Sequence, residues 1–329
     1  MSLDDDIRKR ELKNVYLLYG KEAYLRRNYK KFLLKIWFPD GTDGNMNYSY
    51  YEGAGTDFNE VLHQADTMPF FAEYRVIVVE NSGIFSVAGK EKIKDALNDF
   101  LTNMPETVRF LFIEDDANKS NKLFKTISKI GLCEEVNTFQ GSRYEKWIIN
   151  KINKEGLSIK EDAYKEFYIR TSSDKKASDL MESVSLELDK LISYSQGKGT
   201  IEKSDVEEIV SGQTNTKVYY LTDAIFNKDR EKALEIYNDL IMSKDDPTMI
   251  ISSIEKQLIS LLSLSSKMKN GEAIDSTWQN RKNMAVVRKL GIPELTRLLD
   301  TGVLYDDGIK SGKYNSDVAL TLFLTEALS

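Results

Sequence analysis

A lysine directly after a glycine, close behind an apolar run, is an arrangement that can hold nucleotide phosphates, and two of the chain's four Gly-Lys pairs are candidates for it. A working phosphate loop needs G-x-x-x-x-G-K-[ST]: backbone N–H groups cradle the phosphates, the lysine meets their charge and the hydroxyl holds magnesium. The first candidate, Tyr19-Gly20-Lys21-Glu22, lacks the earlier glycine and carries a carboxylate where the hydroxyl belongs. The second, Gly83-Ile-Phe-Ser-Val-Ala-Gly89-Lys90, has five residues between its glycines and Glu91 after its lysine. A glutamate at that place repels the phosphates it should help to bind. Glu80-Asn81 and Glu114-Asp115-Asp116 close two apolar runs and have the composition of magnesium or general-base positions. Without a phosphate cradle they read as strand-end and helix-cap acids. Gly20, Lys21 and Glu22 therefore mark a degenerate phosphate loop; no nucleotide cofactor is expected and no catalytic residue is assigned.

Other chemistries are thinner still. One histidine, His63, and one cysteine, Cys133, exclude an internal disulfide and a Cys/His metal cluster. Cys133 reads as a small buried thiol, in keeping with a reducing cytoplasm. His63 sits mid-helix with no acidic partner in sequence to orient it, and neither G-x-S-x-G nor H-E-x-x-H occurs. The formal net charge is −6, from 46 basic and 52 acidic side chains, which is not the basic footprint of a protein living on nucleic acid. Protein partners are the better expectation. Apolar runs are interrupted by charge, so no membrane span is expected, and Met1 to Arg10 has no apolar run behind a basic start, as a signal peptide would.

The elements that must position these residues fall into two regimes. Up to about Gln140, buried-type strands (14–20, 47–51, 75–80, 108–114, with 134–139 as an edge) alternate with helices (21–38, from 57, 90–101, 120–130). That alternation predicts an α/β domain with a parallel sheet covered on both faces. Asp57-Phe-Asn-Glu60 reads as a capping box opening its helix. Beyond Gln140 the strand signals almost vanish. Ser142-Arg-Tyr-Glu145, Ser158-Ile-Lys-Glu161 and Ser204-Asp-Val-Glu207 read as three further capping boxes, which makes 141–211 a small helical domain. Ser211 to Thr216 reads as a polar linker. Helical patterns at 217–226, 229–242, 247–268, 293–310 and 316–328 then make 212–329 an all-helical bundle.

Four stretches in order resemble the bacterial DNA polymerase III delta subunit family. They are Tyr16-Leu-Leu-Tyr-Gly-Lys-Glu-Ala-Tyr-Leu25; Met68-Pro-Phe-Phe71 with Arg75-Val-Ile-Val-Val-Glu80; Leu186-Glu-Leu-Asp-Lys-Leu191 with Ile201 and the 204–207 helix start; and Leu221-Thr-Asp-Ala-Ile225 with Lys232-Ala-Leu234, Gln257-Leu258, Leu298-Leu-Asp300 and Ile309-Lys-Ser-Gly312. The resemblance implies an AAA+-like sheet domain (1–140) with a degenerate nucleotide site, a helical lid (141–211) and a C-terminal collar (212–329). It implies a clamp-loader subunit that binds and opens the sliding clamp without hydrolysing ATP. Its expected partners are the clamp, the other loader subunits in a hetero-oligomeric ring, and primed DNA reached through the assembled loader.

By order, the family's clamp-contacting pair, most often Leu-Phe, falls on Phe70-Phe71 with Met68 beside it. Two phenylalanines and Pro69 depart from that pattern. Physically, Pro69 disfavours helix at Met68, so the helix from Asp57 should end there and the next residues project. Pattern alone favours both rings covering the sheet edge as core; the resemblance favours at least one entering a partner. The basic groups Arg26, Arg27, Lys30 and Lys31, and Arg281-Lys282 with Arg288-Lys289 flanking a polar turn, read first as solvated surface. The rival functions are an ATP-hydrolysing loader subunit and a free-standing DNA-binding protein.

Overall fold

The computed structural model describes residues 3–9, 11–86, 91–171, 177–212 and 214–329. Two compact units divide the chain: residues 1–138 with 175–182, and residues 139–174 with 183–329.

In the first unit, α1 (Leu3–Lys9) leads to β1 (Val15–Tyr19), α2 (Ala23–Trp37), β2 (Tyr48–Glu52), α3 (Phe58–Ala65), β3 (Arg75–Glu80), α4 (Glu91–Thr102), β4 (Val108–Glu114), α5 (Lys122–Ile130) and β5 (Leu132–Glu135). The five strands pair in parallel in the order β2-β3-β4-β1-β5. The central strands are the apolar runs: every residue of β1 and β4, and all of β3 but Glu80, is buried. Packing both faces of a sheet removes any polar side, which is why these strands do not alternate. Val15, Leu17, Tyr19, Ile77, Val79, Phe110 and Phe112 meet Phe58, Val61, Leu97, Leu123 and Ile127 from the helices in one core. Asp57 caps α3 by accepting the N–H of Asn59.

The second unit holds α6 (Gly141–Lys154), β6 (Ser158–Ile159), α7 (Glu161–Thr171), the remainder of α8 (Ala177–Tyr194), β7 (Thr200–Ile201), α9 (Lys203–Ile209), α10 (Thr214–Asn227), α11 (Arg230–Met242), α12 (Pro247–Lys269), α13 (Trp278–Lys310) and α14 (Ser316–Ala327). A core of Leu221, Ile225, Leu240, Ile254, Leu258, Leu295, Leu298 and Phe323 joins the last five helices. Glu166 of α7 is buried; it accepts Arg170 Nε at 2.6 Å and the hydroxyl of Tyr220 on α10, with Lys203 Nζ 3.7 Å away. Burial pushes its carboxyl up, but those hydrogen bonds and positive charges outweigh burial and hold it below the usual range.

Several boundaries differ from the sequence expectation. The edge strand runs from Leu132 to Glu135, starting two residues early, where Gly131 lets the chain pass Val15 closely: a Cβ there would lie 2.1 Å from the Val15 carbonyl oxygen. Ser142 does not cap α6; the helix begins at Gly141, and the Ser142 N–H is satisfied by the Asp275 carboxylate at 2.7 Å. Ser158 lies in β6, pairing in parallel with Thr200. The third box is real but sits two residues earlier, with Asp205 accepting the N–H of Glu202 at 2.9 Å. The stretch read as a linker is already α10 from Thr214 onward. The polar turn expected between Arg281 and Lys289 is helix, started by Thr277 accepting the N–H of Asn280 and broken only at Gly291 (φ 74°), just before Pro293.

Candidate functional site

At the C-terminal end of β1, where a phosphate loop would lie, the backbone is tied shut. Gly20 (φ 126°) donates its N–H to the Glu114 carbonyl at 3.3 Å. The Val136 N–H binds the Tyr19 carbonyl (2.6 Å), and the Glu22 N–H binds the Val136 carbonyl (3.3 Å). The approach is close enough that a Cβ on Gly20 would stand 2.5 Å from the Val136 oxygen. Glu22 is buried at the start of α2, its Oε2 accepting the Thr138 hydroxyl at 3.1 Å, while Lys21 points to solvent. A helix N-terminus attracts anions. Here the anion beside it is the chain's own carboxylate.

The strand-end acids are engaged in the same way. Glu114 accepts the Ser82 N–H (3.1 Å), the Ser82 hydroxyl (2.6 Å) and the Gly83 N–H (3.0 Å), organising the loop after β3. Burial pushes its carboxyl up, and these bonds from Ser82 and Gly83 oppose that push. Arg26 pairs with Asp115, Lys30 with Glu80 at 2.5 Å and Arg27 with Glu182 at 2.9 Å. In the second near miss, Ile84 and Phe85 are core residues, Phe85 meeting Phe112 edge-on at 5.3 Å; Gly89 and Lys90 lie outside the described residues.

The opposite end of the sheet carries a different feature. Because the strands are parallel and Val15 lies level with Ile77, the segment entering β3 at Arg75 lies about seven residues, or ~23 Å, from the level of Gly20. Helix α3 ends at Ala65, three residues sooner than Pro69 alone requires. Met68 is 87% exposed, Phe70 54% and Phe71 96%, the two rings meeting edge-to-face at 4.6 Å. Neither ring is buried, so the core reading does not describe this corner.

Polar atoms beneath the rings hold the corner. The side-chain amide of buried Asn47 takes both backbone groups of Phe70: Oδ1 accepts its N–H at 2.6 Å and Nδ2 donates to its carbonyl at 2.8 Å. Buried Arg75 donates to Gln64 Oε1 at 3.2 Å and to the Met68 carbonyl at 3.5 Å. Phe71 follows with φ 47°, in the left-handed region that bulky residues rarely occupy. Phe38, Pro39, exposed Met46, Asn47, Phe70 and Phe71 line a shallow groove of about 390 Å³. Met46 and Asn47 were not marked as site residues by sequence reasoning; a polar residue at the head of a strand carries no signal that its side chain binds 23 residues away.

Three of the four basic side chains Arg281, Lys282, Arg288 and Lys289 are likewise engaged. Lys282 meets Asp223 and the Tyr219 hydroxyl, each at 2.8 Å, Lys289 donates to Asn227 Oδ1 at 2.8 Å, and Arg281 to the Ser276 carbonyl at 2.6 Å. Apolar side chains stay exposed on its last helices, among them Leu234, Met249, Ile259, Ile292, Leu304 and Val318. Among the described residues, no helix is long and apolar enough to cross a membrane.

Comparison with known proteins adds an independent line. A family model described as DNA polymerase III, delta subunit, matches residues 16–137, and one described as its C-terminal domain matches 215–327, together well over half of the chain. The DNA polymerase III subunit delta of Bacillus subtilis is 23% identical over 338 aligned positions, covering 98% of this chain and 95% of the relative. A probable DNA polymerase III subunit delta of Aquifex aeolicus is 24% identical, covering 81% of this chain and 75% of its own. The solved structure of the Bacillus subtilis DNA clamp loader delta protein superposes with a TM-score of 0.60 at 20% identity, over 99% of this chain and 98% of that one.

Proposed function

The chain belongs to the DNA polymerase III delta subunit family, and from that premise we propose that it binds and opens the sliding clamp through the Met68–Phe71 corner. One observation carries the reading: two adjacent phenylalanines stand in solvent on a corner whose backbone is hydrogen-bonded into the sheet. Exposed aromatics on a fixed frame are what interface anchors look like before their partner arrives. The clamp opens if the corner binds its open form more tightly than its closed form, since only differential affinity shifts an equilibrium.

The remaining assignments follow from the same reading. The chain works as a non-hydrolysing member of a hetero-oligomeric loader ring in the cytoplasm, and primed DNA is reached through the assembled ring. Residues 1–140 serve as the sheet domain, 141–211 as the lid and 212–329 as the collar. The exposed apolar side chains of α11 to α14 supply collar contacts to neighbouring subunits. The tied backbone at Gly20 to Glu22 and the engaged acids Glu80, Glu114 and Asp115 favour this over an ATP-hydrolysing subunit. The engaged cations of α2 and α13 disfavour a free-standing DNA-binding protein. The test is retention of the sliding clamp by immobilised full-length chain, with no ATP and no other subunit present. A chain that retains other loader subunits but never the clamp refutes the proposal.

A further inference from the structure

We infer that Asn47 is the positioning residue of the clamp-binding corner, holding Phe70 to the sheet so that both rings are presented before a partner arrives. The inference rests on the reading of Phe70 and Phe71 as the clamp contact.

Asn47 is 4% exposed and bonded in three directions. Its carbonyl accepts the N–H of Val76 in β3 at 2.8 Å, and its N–H is taken by Asn45 Oδ1 at 2.9 Å. Its side chain then gives Phe70 one acceptor and one donor, at 2.6 and 2.8 Å. Such a two-way exchange is what a neighbouring residue supplies in a hydrogen-bonded pair of antiparallel strands. Here a single amide side chain does the work of a strand, and the corner inherits the rigidity of the sheet without joining it.

Residue type matters at this position. A carboxylate of the same size offers two acceptors and no donor, and alanine offers neither. With Phe70 held on both sides, the chain turns at Phe71 (φ 47°) and carries that ring outward. Releasing Phe70 lets a solvent-facing segment sample many conformations, so binding must then order it again, at a cost in affinity.

The experiment measures clamp affinity, melting temperature and amide hydrogen exchange at Phe70 for wild type, Asn47→Ala, Asn47→Asp and the Phe70→Ala/Phe71→Ala double variant, all as full-length chain. For Asn47→Ala the expected result is an affinity about tenfold weaker, exchange at Phe70 accelerated by about tenfold or more, and a melting temperature close to wild type. Asn47→Asp keeps an acceptor for the Phe70 N–H but sets a second carboxylate oxygen against the Phe70 carbonyl, so it weakens clamp binding at least as much as Asn47→Ala. Wild-type clamp affinity in Asn47→Ala and Asn47→Asp, beside a double variant that has lost the clamp, overturns the inference alone. A double variant that binds as wild type overturns the corner as the clamp site and this inference with it. Should Asn47→Ala not fold, Asn47→Asp decides: unchanged affinity in it, beside a double variant that has lost the clamp, overturns the role of the Nδ2 donor and the inference with it.

Discussion

Replacing Phe70 and Phe71 together by alanine should remove clamp binding and leave the fold in place. Phe71 is 96% exposed, so nearly all of its ring is available to be buried on a partner; Phe70, at 54%, has about half of its surface left to give. Full burial of a phenylalanine side chain is worth roughly 1.5–3 kcal/mol, so the pair contributes about 2–4 kcal/mol, a thirty- to thousandfold change in affinity. The free chain loses little. The edge-to-face contact of the two rings is worth at most ~0.5–1.5 kcal/mol, which corresponds to a shift of a few degrees in melting temperature. By the same surface accounting, Phe71→Ala should weaken binding more than Phe70→Ala. Affinity is read by calorimetry against purified clamp, and stability by thermal melting followed by circular dichroism. A double variant that melts normally and still holds the clamp within threefold of wild type refutes the reasoning. So does a single variant whose melting temperature collapses, because the exposed surface says neither ring is core.

Titration with a fluorescent ATP analogue and magnesium at micromolar protein should show no saturable binding, since Glu22 lies where phosphate would sit; saturation with turnover would contradict this. Gly20→Ala should lower stability by roughly 1–3 kcal/mol from backbone strain alone, seen as a drop in melting temperature, because φ 126° and a 2.5 Å approach to the Val136 oxygen leave no room for a methyl group. Glu166→Gln should cost about 1–3 kcal/mol near neutral pH, as expected for lost hydrogen bonds to a charged group. Since the folded carboxyl titrates below its unfolded value of about 4.3, the wild-type advantage is fully present above that pH and fades as pH falls through the folded value. Parallel urea titrations at pH 7 and pH 3 check it, and a difference that persists unchanged in acid contradicts the assignment.

Elements that announce themselves through burial were legible in the sequence. Arg75–Glu80 and Val108–Glu114 were placed to the residue, because a strand packed on both faces must be a continuous apolar run. Asp57 caps its helix, though by accepting the Asn59 N–H and without the reciprocal Glu60 bond of a capping box, since an aspartate ahead of an amphipathic stretch satisfies free N–H groups locally. Ser142 failed for the complementary reason: its N–H found Asp275, an acceptor no local window contains. Helix α1 escaped notice because it is short and highly charged; it is fixed instead by tertiary bonds such as the Tyr16 hydroxyl to Asp6, 3.2 Å. The corner was half legible. Pro69 and the paired aromatics marked the place, but the backbone of Met68 and Phe70 is held by Asn47 and Arg75, whose side chains reach it through space.

The seam between Gly20 and Val136 bears on timing. In a nucleotide-driven subunit, the phosphate end of the sheet is where the rest of the molecule learns whether ATP is bound. Here that end is stitched by backbone bonds from Tyr19, Gly20 and Glu22, and the buried Glu22 carboxylate stands in its mouth. Under the proposed reading, the corner at the far end is displayed by the resting chain with or without nucleotide, and such a subunit keeps no clock of its own. On that reading, the moment at which the clamp is taken or let go must be set from outside, by whatever covers Phe70 and Phe71 and later uncovers them.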